Sequence, residues 1–207
     1  MTIDRAPWRG SSMATRKQEQ PSLDALLRKI VDLLDRWKIP HLLVGGLAAG
    51  IVGEPRITLD VDLIVAIPLS ERATFAKRAR AAGFAIAKES EEEAGMTGAL
   101  RLRWRGLHTD IIFASTEFEQ SAFARKRRVR IADRSVHVPS PEDLVLLKLV
   151  PGRKKDLFDV ESILLRHRGK LDRKYLEHWA QRLSDEMEDT RVWETLQRLL
   201  KEADRPA

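Results

Sequence analysis

Two aspartates two residues apart, Asp60 and Asp62, close a segment that opens on a glycine pair, Gly45-Gly46, directly after an apolar run. On a strand, side chains alternate between faces, so the two carboxylates point the same way. Paired oxygen ligands suit the divalent cations that accompany nucleoside triphosphates. Glycines let backbone N–H groups approach a phosphate closely. A third acid, Asp110, stands in His108-Thr109-Asp110-Ile111-Ile112-Phe113, an otherwise apolar strand. A carboxylate there is costly to bury unpaired. A metal shared with Asp60 and Asp62 removes that cost. A lone Asp-x-Asp reads as a capping acid beside a solvated one; the glycine pair and Asp110 together turn the reading toward a metal site.

This arrangement resembles the signature of the nucleotidyltransferase superfamily that includes DNA polymerase β. There a Gly-Gly or Gly-Ser is followed, after a spacer, by Asp-hydrophobic-Asp, with a third carboxylate on a later strand. Ser140 to Leu149 and Gly152 to Glu161 are similar to the helical part of a bacterial subgroup, the abortive-infection (type IV toxin–antitoxin) nucleotidyltransferase toxins. The likeness spans roughly residues 23–165. It implies Asp60, Asp62 and Asp110 as catalytic residues and ligands of Mg2+ (or Mn2+), with an NTP as substrate. One ion would bridge Asp60 and Asp62 to the triphosphate. Asp110 would serve as general base, or as ligand of a second ion that activates an acceptor hydroxyl. It also implies a second motif facing the nucleotide: Lys148, Arg153, Asp156 and Asp159. Many relatives carry Ser where this chain has Gly46; the departure occurs in tRNA-modifying and toxin branches.

The residues admit plainer readings as well. Gly45 and Gly46 make a phosphate cradle, a tight strand-to-helix turn, or both. Arg56 and Thr58 share the alternation of Asp60 and Asp62, so Arg56 either clamps a phosphate or pairs with Asp60. Lys148 sits in an apolar helix, where a lysine commonly reaches out to solvent. Arg101, Arg103 and Arg105 alternate with apolar residues and predict a strand with one basic face. Arg125 to Arg130, including Arg127 and Arg128, form a second basic cluster. Both could grip an RNA backbone or simply keep edge strands solvated. The five histidines have no metal-ligand spacing and read as structural.

The supporting elements follow from periodicity. A helix is expected over residues 22–38, ended by Pro40, then a buried strand over 41–44 and a short helix over 46–52. A strand over 59–67 carries the acid pair. A helix capped by Ser70 reaches Ala82, strands are expected over 84–87 and 99–105, and the acidic stretch 89–98 between them reads as a loop. Asp110 lies on a strand over 108–114. After a short helix and a hairpin around Asp133-Arg134, everything from Ser140 is helical. The expected fold is α+β: a nucleotidyltransferase-fold mixed sheet flanked by helices, followed by a C-terminal helical bundle. Residues 1–20 read as a disordered arm, 21–139 as the catalytic domain and 140–207 as a helical region packed on it. Met13 is an alternative start to Met1.

Across 207 residues, 37 Lys and Arg stand against 31 Asp and Glu, a net charge of +6. That favours polyanionic partners weakly. Cysteine is absent, which excludes disulfides and thiolate zinc sites and fits a reducing cytoplasm. No apolar run is long enough for a membrane, and the N-terminal segment lacks the core of a secretory signal. The expectation is a metal-dependent enzyme that moves an NMP onto a hydroxyl, most naturally of tRNA, as a toxin held by an antitoxin protein. Two alternatives stand beside it: modification of a protein or small molecule, and a non-catalytic nucleotide- or RNA-binding module on the same fold.

Overall fold

The computed structural model describes residues 22–131 and 133–205. The expected N-terminal arm and the choice between Met1 and Met13 lie outside the described residues. Four strands form one mixed sheet in the order β1-β2-β4-β3. These are β1 (His41–Val44), β2 (Asp60–Val65), β3 (Ala99–Trp104) and β4 (Leu107–Phe113). The two acid-bearing strands, β2 and β4, run parallel side by side, and β1 and β3 flank them antiparallel. A separate ribbon, β5 (Arg127–Ile131) and β6 (Arg134–Val138), packs beside β1.

Alternation divides the sheet cleanly. Val61, Leu63, Val65, Leu100, Leu102, Ile111 and Phe113 point into the main core, against α1 (Leu23–Arg36) and α3 (Arg72–Ala81). Ser22 caps α1 by accepting from the Ala25 amide, and six apolar side chains of that helix are buried. The opposite face carries Asp60, Asp62, Ile64, Arg101, Asp110 and Ile112. It is roofed by α6 (Pro141–Leu149), which starts on Ser140 with Pro141 in its first turn as expected. Helices α7 (Lys154–Arg166), α8 (Arg173–Met187) and α9 (Arg191–Asp204) complete the C-terminal bundle. The α+β class read from the sequence is the class observed.

Several boundaries differ from expectation. The acidic stretch read as a loop is helix α4 (Lys88–Thr97). Only Ala94 of it is buried, so it has no apolar stripe to betray it. It is held instead by Glu89 and Glu91 at its positive end, by Gly98 in the left-handed conformation that closes it, and by an Arg80–Glu91 ion pair. Residues 84–87 make only one bridge, Ala85 to Arg103, because α4 follows immediately. Ser70 does not cap α3; it lies in a 3-10 turn, Leu69–Glu71, and Glu71 precedes the helix. Strand β2 begins at Asp60, so Arg56 and Thr58 lie in the loop before it rather than on a shared strand face. Arg105 falls in the β3–β4 turn with φ of 49°.

Candidate active site

The turn from β1 into α2 (Gly45–Val52) fixes the first part of the site. Gly45 has φ of +66°, and a Cβ there would lie 1.7 Å from Asp62 Oδ2. Only glycine fits beside that carboxylate. A Cβ on Gly46 would come within 2.7 Å of Thr58 Oγ1 and 3.0 Å of Arg56 Nη2. The glycine pair therefore packs directly under both the acid pair and the loop that leads into it.

Asp62 on β2 is the register partner of Asp110 on β4, and Asp60 that of His108. Burial raises the Asp62 carboxyl above the usual carboxylate range, and the charges of Asp110 and Asp60 raise it further. Lys148 and Lys155 pull the other way and are outweighed. Three hard carboxylates on one face, two of them straining the third, form a donor set whose chemistry fits a divalent cation. Among the described residues, however, no three acids stand close enough together to hold a metal ion. Asp110 is engaged elsewhere: Arg101, its register partner on β3, donates to both its oxygens at 2.7 Å. The basic strand face expected to meet RNA thus spends one of its three arginines on the third acid.

The helical half contributes a buried ionic chain. Lys148 Nζ lies 3.2 Å from Asp156 Oδ1 and 2.8 Å from Asp159 Oδ2. Arg153 Nε donates to Asp156 at 2.6 Å, and Arg56 makes a two-pronged contact with Asp159 at 2.6 and 2.9 Å. Side chains of Lys148, Asp156 and Asp159 are at most 7% exposed. Burial pushes the Asp156 carboxyl up, but the Arg153 hydrogen bond and the Lys148 charge outweigh it and hold it below the usual range. Arg56 pairs with Asp159, not with Asp60. Lys148 borders the cavity, yet its ammonium is committed to two acids.

These parts enclose a cavity of about 330 Å3 that brings together Gly45, Asp60, Asp62, Arg101, Asp110, Lys148, Arg153 and Asp156. Arg56, Thr58 and Gly46 support it from behind. Arg103 and Arg105 stay outside, at the β3 edge. Arg127 and Arg128 lie on the ribbon beside β1, the opposite edge of the sheet. One residue not singled out from the sequence matters here: Lys155 lines the cavity, and its place directly before Asp156 is its only sequence signal. Asp159, which the resemblance places facing the nucleotide, instead ties the loop before β2 to α7.

No protein-family model matches the chain, and no curated protein matches it. Among solved structures, the antibiotic-resistance factor ANT(2'')-Ia in solution is similar over 79% of this chain and 94% of its own, with a TM-score of 0.57 and 15% identity. The lincomycin-bound lincosamide antibiotic adenylyltransferase LnuA is similar over 70% and 97%, with a TM-score of 0.51 and 15% identity. An antigenic nucleotidyltransferase-like protein from Paracoccidioides brasiliensis is similar over 85% and 91%, with a TM-score of 0.50 and 19% identity. At these identities the likeness is one of fold: the chain has a nucleotidyltransferase fold.

Proposed function

We propose that this protein is a divalent-metal-dependent nucleotidyltransferase that transfers an NMP from an NTP to a hydroxyl of an RNA acceptor, tRNA foremost, and acts as the toxin of a toxin–antitoxin pair. The observation that carries the enzymatic part is the pairing of Asp62 with Asp110 across parallel strands, directly over the Gly45 turn. Asp60, Asp62 and Asp110 would hold Mg2+ or Mn2+, which supplies charge neutralisation at the triphosphate.

The chain's own residues do the rest. The backbone N–H groups at Gly45 and Gly46, at the start of α2, receive phosphate oxygens. Lys155 and Arg153 offer cations at the same wall of the cavity. The acceptor hydroxyl attacks the α-phosphate in line. Its proton passes to Asp110 where that carboxylate serves as base, or to solvent where Asp110 holds an ion, and pyrophosphate leaves. Positioning and fixed charge supply most of the rate.

The RNA acceptor rests on the resemblance to the toxin subgroup and on exposed Arg103, Arg127 and Arg128. Arg103 lies on the β3 edge of the four-stranded sheet and Arg127 and Arg128 on the ribbon beyond β1, so an RNA touching both spans the sheet, at least about 15 Å. A second reading, a small-molecule acceptor, is favoured by the fold shared with a lincosamide antibiotic adenylyltransferase and an antibiotic-resistance factor.

One experiment separates the readings: each NTP, labelled at the α-phosphate, incubated with Mg2+ and either total tRNA or total cell protein, with Asp60→Ala in parallel. Label on tRNA that disappears in the variant is the expected result. Label on protein moves the acceptor. Absence of label on both leaves the small-molecule reading, and equal labelling by the variant overturns the site.

A further inference from the structure

The guanidinium of Arg101 and the carboxylate of Asp110 face each other across the β3–β4 register. Nε donates to Oδ1 and Nη2 to Oδ2, each at 2.7 Å. This fork-on-carboxylate geometry is the strongest form of a single ion pair, and it occupies both oxygens of the acid. A divalent cation would need the same oxygens. The main chain at this point is pinned: the Arg101 amide donates to Ser90 Oγ at 2.9 Å, and Arg103 bridges to Ala85. The Arg101 side chain is 60% exposed and forms part of the cavity wall. Backbone and strand register are therefore fixed, while the guanidinium, held only by Asp110 and open to the cavity, can turn once that pair is exchanged.

We propose that Arg101 is a built-in counter-ion of Asp110, exchanged for a divalent cation when the phosphates of the substrate arrive to receive its guanidinium. The inference rests on the nucleotidyl-transfer reading of this cavity and adds a positioning residue to it. The exchange is cation for cation, so Asp110 is never left as an unpaired charge beside Asp62. Once released, the guanidinium remains in the cavity, and a phosphate is a bidentate partner of matching geometry. Metal and nucleotide binding become coupled: each makes the other's displacement of Arg101 easier.

The test is Mn2+ binding without nucleotide, followed by electron paramagnetic resonance, on the wild type, Arg101→Gln, Arg101→Lys and Asp62→Asn. Losing its competitor, Arg101→Gln is expected to bind Mn2+ about two- to fivefold more tightly than the wild type, the scale of one partly exposed ion pair. Arg101→Lys, a point charge without the fork, is expected between the two. A merely structural arginine would lower thermal stability and leave Mn2+ affinity unchanged. Equal affinity in wild type and Arg101→Gln, with Asp62→Asn weakened, overturns the counter-ion while the metal site stands. Failure of all four proteins to bind Mn2+, even with NTP present, overturns the nucleotidyl-transfer reading and the counter-ion with it.

Discussion

Asp62 concentrates the electrostatic problem of the site in one side chain. Its carboxyl is raised by burial first and by Asp110 and Asp60 second. The folded protein therefore holds a proton at Asp62 more tightly than the unfolded chain, whose value is about 3.9. Stability contributed by this group is present at low pH and is lost as pH rises through the raised folded value. At neutral pH the metal-free protein carries a buried charge at Asp62, made costlier by Asp110 and Asp60. Asp62→Asn is expected to stabilise the metal-free protein there by about 0.5–2 kcal/mol, the usual return from relieving a charge clash. The gain should vanish on acidification. Mg2+ should raise the melting temperature of the wild type and leave that of the variant unmoved. Thermal melts at several pH values, with and without Mg2+, read both effects. A variant less stable than the wild type at neutral pH would place the strain elsewhere.

At the scale of elements, the chain from Arg56 through Asp159, Lys148 and Asp156 to Arg153 joins the loop before β2 to α6 and α7. Resemblance assigns Lys148 to the nucleotide, but its geometry assigns it first to two buried acids. Lys148→Met is therefore expected to cost about 3 kcal/mol, the low end for breaking a buried pair, because Arg153 and Arg56 still serve one acid each. Arg153→Gln, whose side chain is 61% exposed, should cost less than about 1 kcal/mol. Urea unfolding midpoints separate the two, and a mild Lys148→Met would return that lysine to the nucleotide.

The same scale explains what was legible in the sequence. The glycine pair, Asp60 and Asp62 form one short segment, and Asp110 stood out as an acid among apolar residues, so local pattern sufficed. Arg101 falls on the basic face that alternation predicts, a face suited to an RNA backbone or to solvent. Its partner depends on strand register, which alternation does not specify. Arg56 and Asp159 are 103 residues apart, and only the packing of α7 on α2 brings them together. Helix α4 escaped because polar contacts and caps, rather than an apolar face, hold it in place.

For the whole molecule, the site is a seam between the sheet and the C-terminal helices, and a second polar cluster ties those helices to one another. Tyr175 on α8 donates to buried Asp143 on α6 at 2.5 Å and lies 3.0 Å from Ser121 on α5 (Glu117–Ala124). The Arg125 guanidinium stacks 3.9 Å from the Tyr175 ring and reaches Glu142 and Asp143. Burial and the Asp143 hydrogen bond push the phenol well above its ordinary range. Its contribution to stability is complete below the unfolded value of about 10 and is lost as pH rises toward the folded one. Tyr175 is the chain's single tyrosine, so tyrosinate absorbance reports this contact alone. The expected titration of the native protein shows no tyrosinate near pH 10; the band emerges only at higher pH, together with loss of helical signal. Ionising the phenol sets two anions against each other between α8 and α6 and pushes those helices apart. Tyr175→Phe should abolish the band and destabilise the protein by about 1–3 kcal/mol through the orphaned Asp143 oxygen. A native tyrosine titrating at its ordinary value would mean that α8 is held on α6 without this contact, by apolar packing alone.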